Sequence, residues 1–223
     1  MSAYSTIKAH HTIQARDCRQ CKRLANFLDD VKTRYPDYHA RPVMAFGDDN
    51  ANLLIIGLAP GMHGANRTGR PFTGDFAGIL LYQTLHKFGF ANHAESVSSG
   101  DNLMLLGCRI TNAVKCLPPA NKPIPEEIRQ CNQYLVSEIS EFSHKKGTAI
   151  VALGTLAHQA VLRSQELKPK NYPFSHGAIH QLPNGLTLYD SYHCSRYNTQ
   201  TKRLTTEMFE QVFAKIQNDL ALI

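Results

Sequence analysis

Two short apolar runs, each closed by a glycine, constrain the fold of this 223-residue chain most strongly. They are Asn52-Leu-Leu-Ile-Ile-Gly57 and Thr148-Ala-Ile-Val-Ala-Leu-Gly154. Continuous apolar runs of this length are typical of strands buried on both faces, which occur in parallel sheets covered by helices. The two runs therefore predict the centre of a parallel sheet with glycine-bearing turns at the strand ends.

Apolar residues at helical spacing predict the helices that would cover such a sheet. Pro125 suits the first turn of a helix, and Glu126 and Glu127 suit its positive end. The predicted helices cover residues 17–35, 76–88, 125–142, 156–162 and 205–222, a further strand lies within 103–111, and 168–186 is the most loop-like segment. This alternation predicts the α/β class: a single three-layer αβα domain, residues 1–223, with a central mostly parallel sheet.

The composition narrows the environment and the partners of the chain. No apolar run is long enough to cross a bilayer, and the polar amino terminus lacks the apolar region of a signal peptide, so we expect a cytoplasmic monomer without a membrane partner. The 24 Lys and Arg outnumber the 18 Asp and Glu by six. This excess favours an anionic partner, with nucleic acid the first candidate.

A glycine-rich segment, residues 57–75, follows the first predicted strand and precedes a predicted helix. That position is the carboxyl end of the sheet, where open α/β folds bind their ligands. The segment lacks the Lys-Ser/Thr ending of a P-loop and the G-x-G-x-x-G spacing of a dinucleotide site. It predicts a ligand site, and its glycines alone indicate only a loop that can approach a phosphate or a nucleotide closely.

Four of the six cysteines have the pattern of metal ligands. Cys18 and Cys21 have C-x-x-C spacing, and Cys116 and Cys131 lie beyond the glycine-rich segment. In a reducing compartment, such cysteines are more often metal ligands or buried thiols than disulfides. Four thiolates suit zinc or an iron-sulfur cluster, and the spacing leaves both open.

Three separated segments resemble, in order, the motifs of family 5 (class B) uracil-DNA glycosylases. They are residues 57–75, residues 111–123, and residues 190–199 followed by Lys202-Arg-Leu-Thr205. The resemblance implies a monofunctional DNA glycosylase of base-excision repair, which hydrolyses the N-glycosidic bond of uracil and of other deaminated or modified bases in DNA and leaves an abasic site. It also implies a [4Fe-4S] cluster held by Cys18, Cys21, Cys116 and Cys131. The partner would be DNA that contains a damaged base.

The resemblance assigns the base pocket to three side chains. Phe72 would stack on the extruded base, Asn112 would bond to its Watson-Crick edge, and His193 would donate to a base carbonyl. Without the motifs, they would be interpreted as a core aromatic, a buried capping amide, and a surface or metal-binding histidine. His63 is a second pocket candidate, and Gly57, Leu58 and Ala59 complete the predicted base-binding set.

Asp75, at the end of the first motif, has two interpretations of equal weight. It could hold the attacking water or stabilise the cationic sugar, and it could cap the helix that begins at Phe76. Leu58 and Ala59 stand where other uracil glycosylase families carry a polar, water-activating side chain. This difference implies greater dependence on electrostatic stabilisation of the leaving base.

A polar, basic segment after His193 is predicted to contact DNA phosphates and to act near the vacated base site. The alternatives are a solvated loop and, for the two arginines of the first motif, pairing with Asp75. Cys194 stands where the family usually has proline, which leaves the rigidity of this loop open. Cys108 is expected to be a small buried residue. The predicted DNA contacts are Arg67, Arg70, Ser195, Arg196, Asn198, Thr199, Lys202 and Arg203.

Two other functions compete with the glycosylase. One is a catalytically silent iron-sulfur module that binds damaged DNA and releases no base. The other is an iron-sulfur redox or radical protein, which would need a further cofactor motif that we do not find in the sequence.

Overall fold

A six-stranded sheet forms the centre of the fold in a computed structural model that describes residues 15–143 and 147–221. The sheet order is β1-β3-β2-β4-β6-β5. The four inner strands are parallel, and the edge strands β1 and β5 pair antiparallel with β3 and β6. The strands are β1 (Phe46–Gly47), β2 (Leu53–Gly57), β3 (Cys108–Asn112), β4 (Ala149–Leu153), β5 (Ile179–Gln181) and β6 (Thr187–Ser191). The mostly parallel sheet is confirmed, with both sequence-predicted apolar runs side by side at its centre.

Seven α-helices surround this sheet in the described ranges. They are α1 (Lys22–Arg34), α2 (Ala65–Thr68), α3 (Phe76–Lys87), α4 (Pro125–Ser143), α5 (Thr155–Ser164), α6 (Arg196–Gln200) and α7 (Thr206–Ala221). Each of the five predicted helices is present. The largest difference is at α1, which begins at Lys22 because residues 17–21 form the non-helical segment that carries the first two cysteines.

The strands bury side chains on both faces. Leu53 and Ile55 pack with α3 and α7, whereas Leu54 and Ile56 pack with α4 and α5. This alternation follows from the two-residue period of a strand and gives the three layers predicted from the sequence. Helix α1 packs in a separate cluster with Cys116 and Cys131.

Two segments differ from the sequence-based expectations. The strand predicted within residues 103–111 is limited to Cys108–Asn112; before it, Leu105 forms only an isolated bridge to Ala91. The predicted loop at 168–186 contains the edge strand β5 and a 3₁₀ turn at Pro169–Asn171. Edge strands are half solvated, so their sequences lack the apolar run that marks a buried strand.

Strand register places the functional segments at one edge of the sheet. Gly57, the last residue of β2, lies opposite Asn112, the last residue of β3, and Leu153 of β4 lies opposite Ser191 of β6. The first, middle and last motifs therefore begin at the carboxyl ends of β2, β3 and β6, and β4 lies between β2 and β6. Within residues 15–143 and 147–221, the helices are too short or too polar to span a bilayer. The predicted polar amino terminus lies largely outside the described residues.

Candidate active site

A cleft of about 400 Å³ opens at the carboxyl end of the parallel strands. It is formed by the segments after β2, β3 and β6, which is where a doubly wound sheet binds ligands. All three predicted pocket side chains line it, together with Asp75 and Ser195. The full lining is Leu58, Ala59, Pro60, Gly61, Ala65, Phe72, Asp75, Ala77, Asn112, Asn121, His193 and Ser195.

The Phe72 and His193 rings lie next to each other in the wall of this cleft. Their centroids are 5.9 Å apart and their planes differ by 29°. Phe72 is 6% exposed, and its backbone adopts a φ of +54°, which a non-glycine residue rarely takes. Such a conformation persists only where the surrounding structure enforces it. The Phe72 ring is therefore held in position at the cleft.

Two glycines permit this packing. A Cβ on Gly57 would lie 2.5 Å from Asn112 Oδ1 and 2.6 Å from Phe72 Cζ, and a Cβ on Gly78 would overlap the Phe72 carbonyl oxygen. Gly57 was predicted to bind the base, but it is absent from the cleft lining. Its position instead gives it a packing role behind Phe72 and Asn112.

Asn112 is a buried amide with an unused acceptor. The residue is 2% exposed, and Oδ1 has no hydrogen-bond partner within the described part of the chain. A buried unpaired polar atom costs about 1–3 kcal/mol, so a ligand that enters the cleft and donates to this acceptor would be stabilised. An extruded base with an N–H on its pairing edge is such a ligand.

His193 is partly buried, and its surroundings favour the neutral imidazole. Burial lowers the pKa of His193 to about 4. The Asn198 side-chain amide donates to the His193 carbonyl over 2.8 Å, and the next residue, Cys194, is fully buried in the core. These contacts fix the loop where the family's usual proline is absent. Asn198 was predicted to contact DNA, and this bond gives it a role in positioning His193.

Asp75 combines both interpretations of the sequence. Its carboxylate accepts from the Gly78 backbone N–H over 2.9 Å, which makes it the N-cap of α3. It also lines the cleft, and burial raises its pKa above the ordinary aspartate value. The capping prediction is confirmed, and a catalytic role stays a prediction.

His63 and Arg70 are among the predicted site residues that lie outside the cleft lining. His63 is exposed, and its Nδ1 lies 2.8 Å from the Tyr38 hydroxyl. Arg70 is buried, bonds to Thr73 and Ser96, and pairs with Asp101 over 2.6 Å. Arg70 pairs with Asp101 rather than Asp75, and its burial argues against a phosphate contact because its guanidinium charge is already paired inside the protein.

The other basic residues are exposed near the cleft. Arg67 donates to the His63 carbonyl, Arg196 lies over the Phe76 ring and Arg203 over the Tyr192 ring. Lys202 is exposed in a left-handed turn before α7. Ser195 caps α6 through the Asn198 N–H, and Thr199 bonds back to the Ser195 carbonyl. The predicted phosphate contacts at Arg67, Arg196, Lys202 and Arg203 stay predictions.

Asn121 lines the cleft and was not among the predicted site residues. Asn121 follows the Pro118-Pro119 turn with a φ of +56°, a conformation that asparagine tolerates better than most residues. Its place in the middle motif was the available signal, because that motif also carries Asn112. Ala77, at the start of α3, is a second lining residue that no sequence feature indicated.

Cys18, Cys21, Cys116 and Cys131 converge on a second pocket between α1 and α4. The Lys115 backbone N–H lies 3.3 Å from Cys131 Sγ, and burial together with the neighbouring sulfurs raises the pKa of the Cys116 thiol. Ala59 and Met62 of the first motif pack against the same cluster. Cys108, as expected, is a buried thiol elsewhere in the core, where it donates to the Phe90 carbonyl.

A buried His-Asp-His group, which was not predicted from the sequence, includes Asp190 of the last motif. The His158 Nδ1 and Asp190 Oδ1 atoms are 2.7 Å apart, and His180 Nε2 lies 3.3 Å from Asp190 Oδ2. Among the described residues, this is the one group of three or more potential metal-ligand atoms that all lie within 4.8 Å of one another.

Comparison with known proteins identifies relatives along most of the chain. Residues 44–217 match the model of the uracil DNA glycosylase superfamily. A type-5 uracil-DNA glycosylase of Thermus thermophilus is 48% identical over 200 residues, which are 87% of this chain and 90% of that protein. Type-5 enzymes of Mycobacterium leprae and Pyrobaculum aerophilum are 42% and 40% identical, and the matches cover 88% and 91% of this chain and 88% and 89% of those proteins.

Proposed function

Because the chain belongs to the uracil DNA glycosylase superfamily, we propose that it is a monofunctional DNA glycosylase of base-excision repair. It hydrolyses the N-glycosidic bond of uracil, and of other deaminated or modified bases, and leaves an abasic site. The observation that carries this proposal is the buried, unpaired Oδ1 of Asn112 in a cleft that also holds Phe72 and His193.

Binding begins with extrusion of the damaged nucleotide from the duplex. Loss of stacking costs a few kcal/mol, least for a mismatched base, so a U·G pair opens more readily than a correct pair. The base enters the cleft and stacks on Phe72, and Asn112 Oδ1 accepts its ring N–H. The Phe72 ring is held in position before binding, which reduces the ordering needed when the base arrives.

Bond cleavage places negative charge on the departing base and positive charge on the sugar. The neutral His193 imidazole donates to a base carbonyl oxygen as that charge develops, and it need not lose a proton to do so. The Asp75 carboxylate faces the same cleft, where it stabilises the cationic sugar or orients the attacking water. The products are DNA with an abasic site and the free base.

A lyase reaction would require an amine nucleophile at the cleft. Lys115, near Asn112 in sequence, is buried and paired with Glu138, and the cleft lining contains no lysine among the described residues. Hydrolysis by water is therefore the reaction proposed. The exposed basic residues Arg67, Arg196, Lys202 and Arg203 bind the DNA phosphates on either side of the extruded nucleotide.

We propose that Cys18, Cys21, Cys116 and Cys131 hold a [4Fe-4S] cluster. The four cysteines line one pocket, which offers four thiolate ligands, and the resemblance to family 5 enzymes selects the iron-sulfur cluster over a single zinc ion. When bound, the cluster would cross-link the segment before α1, the middle-motif segment that carries Cys116, and α4.

We also propose that the protein is a cytoplasmic monomer and that it folds as one domain. None of the six cysteines forms a disulfide, which suits a reducing compartment.

A panel of labelled oligonucleotides tests the function and its substrate range. The strands carry uracil, hypoxanthine, xanthine, ethenocytosine or hydroxymethyluracil, each single-stranded and double-stranded, without divalent metal or nucleotide. We expect alkali-sensitive breaks at uracil, faster opposite guanine than opposite adenine. Binding to every strand with no break in any of them would instead support the catalytically silent module.

A further inference from the structure

Lys115 is a buried lysine that the proposed chemistry does not use. Its side chain is 1% exposed, and its ammonium bonds to both Glu138 oxygens at 2.8 Å, to Thr111 Oγ1 at 2.6 Å and to the Asn112 carbonyl at 2.9 Å. Its three N–H donors are therefore fully used by partners inside the protein. Lys115 lies in the loop after β3, and the burial of its ammonium argues against a DNA phosphate contact.

Both the side-chain ammonium and the backbone N–H of Lys115 contact helix α4. Its ammonium pairs with Glu138 of α4, and its backbone N–H lies 3.3 Å from the sulfur of Cys131 on the same helix. The residue that follows, Cys116, belongs to the same cysteine site. Lys115 thus stands between α4, which carries part of the cysteine site, and the strand end that carries Asn112.

The side chain of Asn112 has few restraints of its own. Its Oδ1 has no partner within residues 15–143 and 147–221, so protein hydrogen bonds to that atom do not aim it. Its position follows from its backbone, which the Lys115 ammonium holds at the carbonyl, and from Gly57, which lies against it in β2. The Ala113 and Val114 N–H groups donate to the Gly57 and Leu58 carbonyls beyond Asn112. Removing the ammonium would leave the Asn112 carbonyl without its Lys115 donor while this backbone pairing remains.

Burying an ion pair costs free energy because both charges lose their hydration. Replacing one by apolar residues is often neutral or stabilising, so stability alone does not explain it. The contacts here join a helix that carries a cysteine ligand to the amide that meets the base. We propose that Lys115, with Glu138, is a positioning residue that fixes Asn112 from helix α4, an inference that rests on the proposed glycosylase function.

The kinetic test is a double-mutant cycle between Lys115→Met and Asn112→Ala. Single-turnover base release from a uracil oligonucleotide should slow on the order of 100-fold in Lys115→Met, because misplacement of a reacting group by about 1 Å costs that much. The dissociation constant for the DNA should change little. In the Asn112→Ala background the same substitution should have almost no further effect, because the group that it positions is absent.

Lys87→Met is the matched control, since Lys87 pairs with Glu210 over 2.6 Å at the surface, away from the cleft. It should release uracil at the wild-type rate. Iron content is measured in every preparation. A wild-type rate in Lys115→Met, an undiminished effect of that substitution in the Asn112→Ala background, or a rate loss that matches lost iron would each overturn the inference.

Hydrogen exchange of a peptide covering residues 108–116 provides a readout without activity. We expect faster exchange in Lys115→Met than in the wild type and Lys87→Met, and unchanged exchange would contradict the inference. If the wild type released no uracil, the proposed function would fail while this exchange result still decided the positioning role. If Lys115→Met did not fold, Glu138→Gln would take its place in both tests.

Discussion

Gly57 and Asn112 end neighbouring parallel strands so closely that a Cβ on residue 57 would lie 2.5 Å from Asn112 Oδ1. The same Cβ would lie 2.6 Å from Phe72 Cζ. Gly57 therefore holds open the space in which the base-binding amide and the stacking ring meet.

Gly57→Ala should displace Asn112 and Phe72 and slow base release by about 10-fold to 100-fold. Overpacking of this kind also costs about 1–3 kcal/mol of stability. Single-turnover kinetics and urea unfolding measure the two effects. Gly100→Ala is the control, because a Cβ there meets nothing within 4 Å. Unchanged release by Gly57→Ala would show that the cleft does not depend on this contact.

Asn112→Ala should separate activity from stability. Removing the unpaired Oδ1 removes a buried polar penalty of about 1–3 kcal/mol, which offsets the lost packing, so the unfolding free energy should hardly fall. The rate should fall by about 10²-fold to 10³-fold, as for loss of one transition-state partner.

Asn132→Ala is the matched substitution for that comparison. Asn132 is also buried, but its amide donates to the Ala160 carbonyl over 3.0 Å. It should lose stability and keep the intrinsic rate of base release. If Asn112→Ala destabilised the fold as much as Asn132→Ala, the amide would be a structural group.

His193 should make stability depend on pH in a defined window. Burial lowers its pKa from 6.5 to about 4, so the unfolded chain binds a proton in this range that the folded protein does not. The contribution of the neutral His193 to the free energy of unfolding is therefore complete above about pH 6.5 and is lost as the pH falls towards 4. In urea unfolding, the free energy of unfolding should differ less between pH 7 and pH 5 for His193→Gln than for the wild type. Equal differences would mean that His193 titrates normally.

The cysteine site should lose its iron when any ligand is removed. Cys18→Ser and Cys131→Ser, purified without oxygen, should lack the brown colour and the iron of the wild type. Cys108→Ala changes a buried thiol outside the site and should keep both. Stoichiometric zinc without iron in the wild type would contradict the cluster.

The sequence predicted those parts of the molecule whose residues repeat with a clear period. Buried runs such as Leu53–Gly57 and Ala149–Leu153 have no polar interruption, so the central strands and their parallel pairing followed directly. The short edge strands and helix α6 lack such a period, because half of their surface is solvated. Only contacts with the rest of the fold determine where these strands and this helix form.

The site was predictable as a set of residues but not as a geometry. The motifs brought Phe72, Asn112 and His193 together correctly in the cleft. Nothing in the sequence distinguished Arg70, which Asp101 neutralises in the interior, from Arg67, which is exposed. The burial of Lys115 was equally invisible, because its partner Glu138 lies 23 residues away on α4.

Identification of the released base tests the central claim most directly. Uracil-containing duplex DNA is incubated with the iron-loaded protein, and the small-molecule fraction is analysed by mass spectrometry alongside an Asn112→Ala reaction. We predict one free uracil for each abasic site formed by the wild type, and a rate lower by about 10²-fold to 10³-fold for the variant. Iron-loaded wild type that binds this DNA and releases no uracil, or an equal rate from Asn112→Ala, would contradict the account.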